Sequence, residues 1–221
     1  MATLPAVKLI SERDYEKRLR RNSAEIAWLE VEKSIGPRYT SVTLESFEIS
    51  NETQQTAIDA ILRYVESIGD RTEQGEGLIL FGPKGTGKDH LAISCLRKVK
   101  ELGYTTRAEF GESLFQRFRD SIGTDASERD LIKVFTTPDV LFLSDPVPAS
   151  GALSDHQKSV LMRIIDRRYR DLKPTWATLN VTGPDDAESR LGGQIVDRLR
   201  DGATVIKCNW ESYRKSEKAG A

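Results

Sequence analysis

Residues 78–91 read LILFGPKGTGKDHL, an apolar run followed by a glycine-rich stretch and a lysine. Gly82, Pro83, Lys84, Gly85, Thr86, Gly87 and Lys88 have the types and spacing of a loop that wraps phosphate groups. Glycines let backbone N–H groups close on an anion without Cβ clashes, and a helix starting there adds its positive dipole end. Lys88 is placed to reach the β- and γ-phosphates of a nucleoside triphosphate such as ATP, and the next position ordinarily offers a hydroxyl to Mg2+. Here that position is Asp89, followed by His90, so the expected binding set runs from Gly82 to His90. A carboxylate beside a triphosphate repels it unless a cation lies between them.

The stretch VLFLSDP bears on the same question. A second strand normally completes such a site with two acids, one serving Mg2+ and one orienting the attacking water. Here four apolar residues, Val140 to Leu143, lead into Ser144 and Asp145. With Ser144 on the metal side and Asp145 on the water side, hydroxyl and carboxylate have traded places between loop and strand. Mg2+ would then see Asp89 and Ser144, and the charge of the site is unchanged. Two alternatives stay open. One is a decayed site that binds nucleotide without turnover. The other is a slipped register that puts Asp145 on the metal and Pro146 where a catalytic acid belongs, which makes hydrolysis slow.

These residues need elements to hold them. GLILFG, YTTRAEF, DVLFLSD, KPTWATLNV and ATVIKCNW read as strands, separated by the helical stretches KDHLAISCLRKVKELG, GESLFQRFRDSIG, ASERDLIKVFTT, SDHQKSVLMRIIDRRYRDL and DDAESRLGGQIVDRLRDG. Gly192 and Gly193 mark an interruption in the last of these. Strands alternating with helices predict a parallel sheet covered on both faces. Upstream, residues 11–35 predict a mostly exposed helix with a partial stripe at Ile26, Leu29 and Val31. Residues 51–69 predict an amphipathic helix with Ala57, Ile58, Ile61, Leu62 and Val65 inward and Asn51 or Thr53 as cap. DRTEQGEG reads as a polar loop.

A length of 221 residues suits one α/β domain with an N-terminal appendage. Hydrophobic residues at 38% and charged residues at 30% describe a globular chain with a solvated surface. Lys and Arg total 33 against 34 for Asp and Glu, so a nucleic-acid contact must come from a local patch. Candidates are LMRIIDRRYRDLK, with Arg163, Arg167, Arg168, Arg170 and Lys173 around Tyr169, and EKRLRR, with Lys17, Arg18, Arg20 and Arg21. The competing reading of the first is a solvated face whose cations pair with Asp166 and Asp171. Cys95 and Cys208 sit in apolar runs and read as buried thiols. No apolar run spans a bilayer, and the N-terminal stretch turns charged before a signal-peptide core develops, which points to the cytoplasm. The scattered His90, His156 and cysteines build no zinc site, and Trp176 and Trp210 read as core or strand-edge residues.

The order of FGPKGTGKDHLA, VLFLSDP, QKSVLMRIIDRRYRDLKPTWATLN, RLGGQIVDRLRDGA and NWESYR resembles the DnaC/IstB-like group of AAA+ ATPases, over residues 35 to 214. The resemblance implies a P-loop NTPase of AAA+ type, a three-layer α/β sandwich with a parallel sheet. An N-terminal helical segment, residues 1–40, would meet a partner, and residues 41–221 would bind ATP. It further implies that Asn180 is the polar sensor at a strand end, Arg198 the arginine finger offered to a neighbouring subunit, and Arg214 the second sensor on the γ-phosphate. A guanidinium supplied in trans makes turnover depend on assembly. The implied function is a helicase loader in DNA replication that binds single-stranded DNA and a replicative helicase and forms an ATP-dependent homo-oligomer, with no membrane contact. The alternatives are a transposition helper that delivers a transposase, or an adaptor that binds nucleotide without hydrolysing it.

Overall fold

The computed structural model describes residues 11–121, 128–148 and 150–214. The N-terminal stretch weighed against a signal peptide and the first residues of the segment beginning at Ala126 lie outside them. Five strands form one parallel sheet: β1 Leu78–Phe81, β2 Thr106–Phe110, β3 Val140–Ser144, β4 Thr175–Leu179 and β5 Thr204–Lys207, in the order β2-β3-β4-β1-β5. Both faces are covered, which is why the central strands are continuous apolar runs. On one face Leu78, Leu80 and Phe142 pack with Leu91, Leu96, Ile61 and Trp28. On the other, Ile79, Leu141 and Leu143 pack with Phe115, Ile164 and Ile195. This is the three-layer sandwich that the resemblance implies.

The first layer is built by α1 Glu12–Ile35, α2 Glu52–Glu66, α3 Ile68–Gln74 and α4 Lys88–Glu101. The second is built by α5 Gly111–Asp120, α6 Glu128–Thr136, α7 Asp155–Arg170, α8 Pro184–Leu191 and α9 Gly193–Arg200. The break between α8 and α9 falls at Gly192, as its glycine pair predicts; its φ of 101° lies in a region that L side chains avoid. Among the described residues no helix is long and apolar enough to cross a membrane.

Three sequence expectations need correction. In α1 the buried stripe is Ala24, Trp28, Val31 and Ile35, whereas Ile26 and Leu29 are 69% and 56% exposed. Of the expected stripe only Val31 is buried, and the Trp28 ring, with the Arg97 guanidinium 5.0 Å over it, anchors the true row. In α2 the inward position is Tyr64 instead of Leu62; its ring packs at 5.5 Å against Trp176, whose indole donates to the Tyr64 hydroxyl at 2.9 Å. Asn51 is the cap and Gln54 completes a capping box. The stretch read as a polar loop begins inside α3, which buried Ile68 anchors and Gly75 ends at a φ of 72°.

The basic helix α7 is also not the surface its charges suggest. Arg168 is fully buried, and its guanidinium donates to the carbonyls of Phe135, Pro138, Asp139 and Pro174 and to the Thr175 hydroxyl. It clamps the turns before β3 and β4. Replacing Arg168 with Met keeps most of the volume and leaves these acceptors unpaired in the interior. We expect a loss of about 3 kcal/mol or more in urea unfolding of the variant.

Candidate functional site

All four segments that the motifs single out leave the sheet at the carboxyl ends of its strands. The phosphate loop follows β1, Asp145 follows β3, Asn180 follows β4, and Arg214 lies seven residues beyond β5. Parallel pairing forces this convergence, and ligands of open α/β sheets bind there. The β1 strand lies between β4 and β5 and far from β2, which it precedes in the chain, so the loop sits where the strand order reverses. A cleft of about 750 Å3 opens at this point.

Lys84, Gly85, Gly87, Lys88, Asp89 and His90 line the cleft on the loop side. Ser144, Asp145, Asn180 and Arg214 face it from the other strands. Gly82, Pro83 and Thr86 shape the loop from behind: Thr86 is buried, and its hydroxyl donates to the Pro83 carbonyl at 3.1 Å. Gly82, at φ 142°, lies so close to β5 that a Cβ there would stand 2.3 Å from the Cys208 carbonyl oxygen. Arg198 is not in the cleft. It borders a small recess with Gly77 and Thr175, at the opposite ends of β1 and β4, and its Nε pairs with Asp166 at 3.0 Å. It therefore does not reach the nucleotide site of its own subunit.

Lys88 is held back on its own loop. Its Nζ donates to the Gly82 carbonyl at 3.0 Å, the Pro83 carbonyl at 2.7 Å and Asn180 Oδ1 at 2.8 Å. Burial lowers the pKa of this ammonium, and the Asp89 and Asp145 carboxylates work the other way. An arriving phosphate would replace carbonyl acceptors with charged oxygens, a stronger pairing for a desolvated cation. Asn180 also donates from Nδ2 to Asp145 Oδ2, and its backbone N–H reaches Oδ1 of the same acid at 3.2 Å. Asp145 adopts a φ of 44°, a conformation that non-glycine residues other than Asn and Asp seldom take. The strand thus ends in a kink that turns this acid toward Asn180.

Asp89 is the second residue of α4, where the helix dipole favours a negative charge. Its Oδ1 accepts from Thr178 Oγ1 at 2.6 Å, while Oδ2 has no hydrogen bond among the described residues. The Ser144 hydroxyl faces the cleft and likewise makes none. Two oxygen donors without partners, on facing elements, fit a hard divalent cation. No three His, Cys, Asp or Glu residues cluster as a metal cage among the described residues. Mg2+ here would take most of its oxygens from phosphate and water, as it does in nucleotide sites.

The sequence reading missed one wall of the cleft. Arg38, Tyr39, Val42 and Phe47, from the segment between α1 and α2, line it together with Tyr213. Aromatics at 39 and 47 in a polar stretch between two helices were the available signal. His90 belongs to this wall: its Nε2 lies 2.9 Å from the Thr43 carbonyl and 3.1 Å from Ser46 Oγ. The C-terminal stretch closes the loop from above. The Trp210 indole donates to the Thr86 carbonyl at 2.8 Å and the Tyr213 amide to the Gly85 carbonyl at 2.9 Å. Trp210 packs against the core, as expected, and also straps the phosphate loop, while Trp176 is fully buried core.

A phosphate loop after β1, a kinked acid after β3 and an asparagine after β4, in this strand order, define a P-loop ATP-binding protein of the AAA+ type. The chain belongs to the family of IstB-like ATP binding proteins, whose pattern matches residues 37–221. It is 29% identical over 150 residues to the IS5376 ATP-binding protein of Geobacillus stearothermophilus, covering 66% of this chain and 58% of that one. It is 28% identical over 185 residues to the IS21 ATP-binding protein of Pseudomonas aeruginosa, covering 81% and 66%. The chain thus spans between half and two thirds of these relatives' lengths. Among solved structures it is similar to the DnaC helicase loader, with a TM-score of 0.70 and 27% identity over 78% of this chain and 99% of that one. DnaI shares the fold, with a TM-score of 0.67 and 21% identity over 79% and 95% of the two chains.

Gly85 is where loop and strap meet. Its φ is 84°, and a Cβ there would stand 2.0 Å from Ser212 Oγ. Gly85→Ala combines left-handed strain of about 1–3 kcal/mol with displacement of the strap. We expect nucleotide affinity to fall by about tenfold or more in titration calorimetry, while far-ultraviolet circular dichroism stays that of the wild type.

Proposed function

We propose that this protein is an ATP-hydrolysing helper of DNA transactions that uses an exchanged metal site, with Asp89 on the loop and Ser144 on the strand serving Mg2+. The observation that carries the reading is a pair of oxygens without hydrogen bonds among the described residues, Asp89 Oδ2 and the Ser144 hydroxyl, facing one cleft beside Lys88. A decayed loop would not need to lose its hydroxyl and gain a hydroxyl on the facing strand at once.

Bound Mg2+ supplies charge neutralisation between the carboxylate and the triphosphate and a template for the phosphate oxygens. The chain's own residues do the rest. Lys88 leaves the loop carbonyls for the β- and γ-phosphates. Asp145, held by Asn180, takes the proton of the attacking water, and Asn180 fixes that water's position. Arg214, on the strap, neutralises charge on the γ-phosphate in the same subunit. Arg198 serves a neighbouring copy, because its position at the other end of the strands suits only a contact in trans.

The partner reading favours a transposase. Two relatives are named for insertion sequences, and the family is named for IstB. The likeness to a helicase loader supports a replicative helicase as the second reading. Residues 1–40 would carry the partner contact in either case. Single-stranded DNA would meet α1, where Arg13, Lys17, Arg18, Arg20 and Arg21 have no ion pair or hydrogen bond among the described residues. Copurification with a transposase and not a replicative helicase would establish the first; the reverse result would replace it with the second.

The exchange itself has a direct test. Asp89→Thr removes the only carboxylate on the metal, and Ser144→Asp adds a second. Each single variant is expected to lose about 100-fold in Mg2+-dependent phosphate release, whereas the double variant returns to within about tenfold of wild type. Additive losses in the double variant would remove the exchanged site. Lys88→Ala should lower release by about 100-fold or more, with single-stranded DNA present. Equal release from Lys88→Ala and wild type would remove the enzyme reading and leave an adaptor.

A further inference from the structure

An aspartate in place of a hydroxyl residue brings a geometric problem. A threonine Oγ sits directly on Cβ, but a carboxylate oxygen is one bond farther out and turns about a broad, soft χ2. Mg2+ demands near-ideal ligand positions at about 2.0–2.1 Å. Something must hold Asp89 still without neutralising it, since a basic partner would cancel the charge that draws the cation.

We propose that Thr178 is the positioning residue of this metal site, its hydroxyl holding one oxygen of Asp89 so that the other is presented to the cation. The proposal rests on the exchanged site described above. Thr178 lies in β4, 1% exposed, directly opposite Ser144 in the β3–β4 register. Its Oγ1 donates to Asp89 Oδ1 at 2.6 Å. The same oxygen accepts from the Asp145 amide at 3.2 Å, and that amide also reaches the Thr178 carbonyl at 2.9 Å. The direction is fixed: an amide has only a proton to give, so the hydroxyl proton points to the carboxylate.

One neutral side chain therefore touches the loop acid, neighbours the strand hydroxyl and contacts the backbone of the catalytic acid. Asp89 Oδ1 accepts from Thr178, and Oδ2, with no hydrogen bond among the described residues, would be the oxygen offered to the metal. Because Thr178 is buried in a sheet, its hydroxyl cannot follow the carboxylate if the loop moves; the loop must come to it. The strand face that carries Ser144 and Thr178 side by side thus sets where the cation can sit.

The test measures metal binding and not turnover. The full chain is loaded with a non-hydrolysable ATP analogue, and Mn2+ affinity is read by electron paramagnetic resonance for wild type, Thr178→Val and Thr178→Ser. Valine keeps the branched shape and leaves the Asp145 amide its carbonyl partner. We expect Thr178→Val to bind Mn2+ about tenfold more weakly, with metal-free analogue affinity within about twofold of wild type, and Thr178→Ser to recover to within about threefold. Unchanged Mn2+ affinity in the valine variant would overturn the proposal, as would a parallel loss of metal-free affinity, which marks a merely structural role. Should valine prevent folding, Thr178→Ala removes the hydroxyl with no branched methyl to place, and the same criteria apply. Both of those failures leave the exchanged site standing. Wild type that binds the analogue but no Mn2+ removes the exchanged site and this proposal together.

Discussion

The site depends on how one negative charge is accommodated at the start of α4. At the second residue of a helix the Asp89 carboxylate meets the positive end of the peptide dipoles, a stabilisation of roughly 0.3–1 kcal/mol at such positions. A triphosphate seeks the same positive end. The two anions compete unless a divalent cation turns the competitor into a ligand, since like charges a few ångströms apart in a partly desolvated cleft cost several kcal/mol. The resting arrangement is consistent with this: Lys88 lies against its own carbonyls and Asn180, and Asp89 leans on the Thr178 hydroxyl. Lys88, Asp89 and Asp145 each have a temporary partner that a metal-bound nucleotide can replace.

The parallel sheet was legible in the amino-acid sequence because its central strands are buried on both faces and so are uninterrupted apolar runs. The phosphate loop was legible because few backbones other than a loop entering a helix need glycines at that spacing. What escaped notice was the wall made by Arg38, Tyr39, Phe47 and Tyr213. Those residues come from irregular segments more than 160 positions apart, joined by contacts such as the Gln54 amide on the Tyr213 hydroxyl at 2.8 Å. No periodicity marks a surface assembled that way. The α1 stripe failed for a related reason. Its buried row is only four residues long, and a row of exposed Leu and Ile beside it carries the stronger apolar signal.

Charge patterns were the least legible feature. Helix α7 looks like a track for phosphates, yet Arg167 pairs with Asp171 at 2.7 Å, Arg170 with Asp166 at 3.0 Å, Arg163 with Glu128, and Arg168 is interior. Composition cannot distinguish a cation that faces solvent from one that binds backbone carbonyls, because the difference lies in what the tertiary fold brings to it. Lys173 shows the same behaviour, donating to the Thr136 carbonyl at 3.1 Å. Among the described residues, Arg13, Lys17, Arg18, Arg20 and Arg21 in the first half of α1 make no ion pair or hydrogen bond, so α1 keeps the free positive charge that α7 lacks.

Arg198 connects these threads. Asp166 accepts from both Arg170 and Arg198, and the Tyr169 ring lies 5.9 Å from the Arg198 guanidinium. Arg198 is therefore partly desolvated and already paired, at the strand ends remote from its own cleft. A neighbouring nucleotide would have to offer more than a single shared carboxylate to draw it away. A γ-phosphate offers three oxygens and more charge, and a planar guanidinium can engage two of them at once. Asp166 loses less than a full partner in the exchange, because Arg170 remains on it. The shared carboxylate thus holds Arg198 in place without trapping it, as the proposed contact in trans requires. In the exchanged-site reading the same logic operates in the cleft, where Thr178 holds Asp89 through a single oxygen.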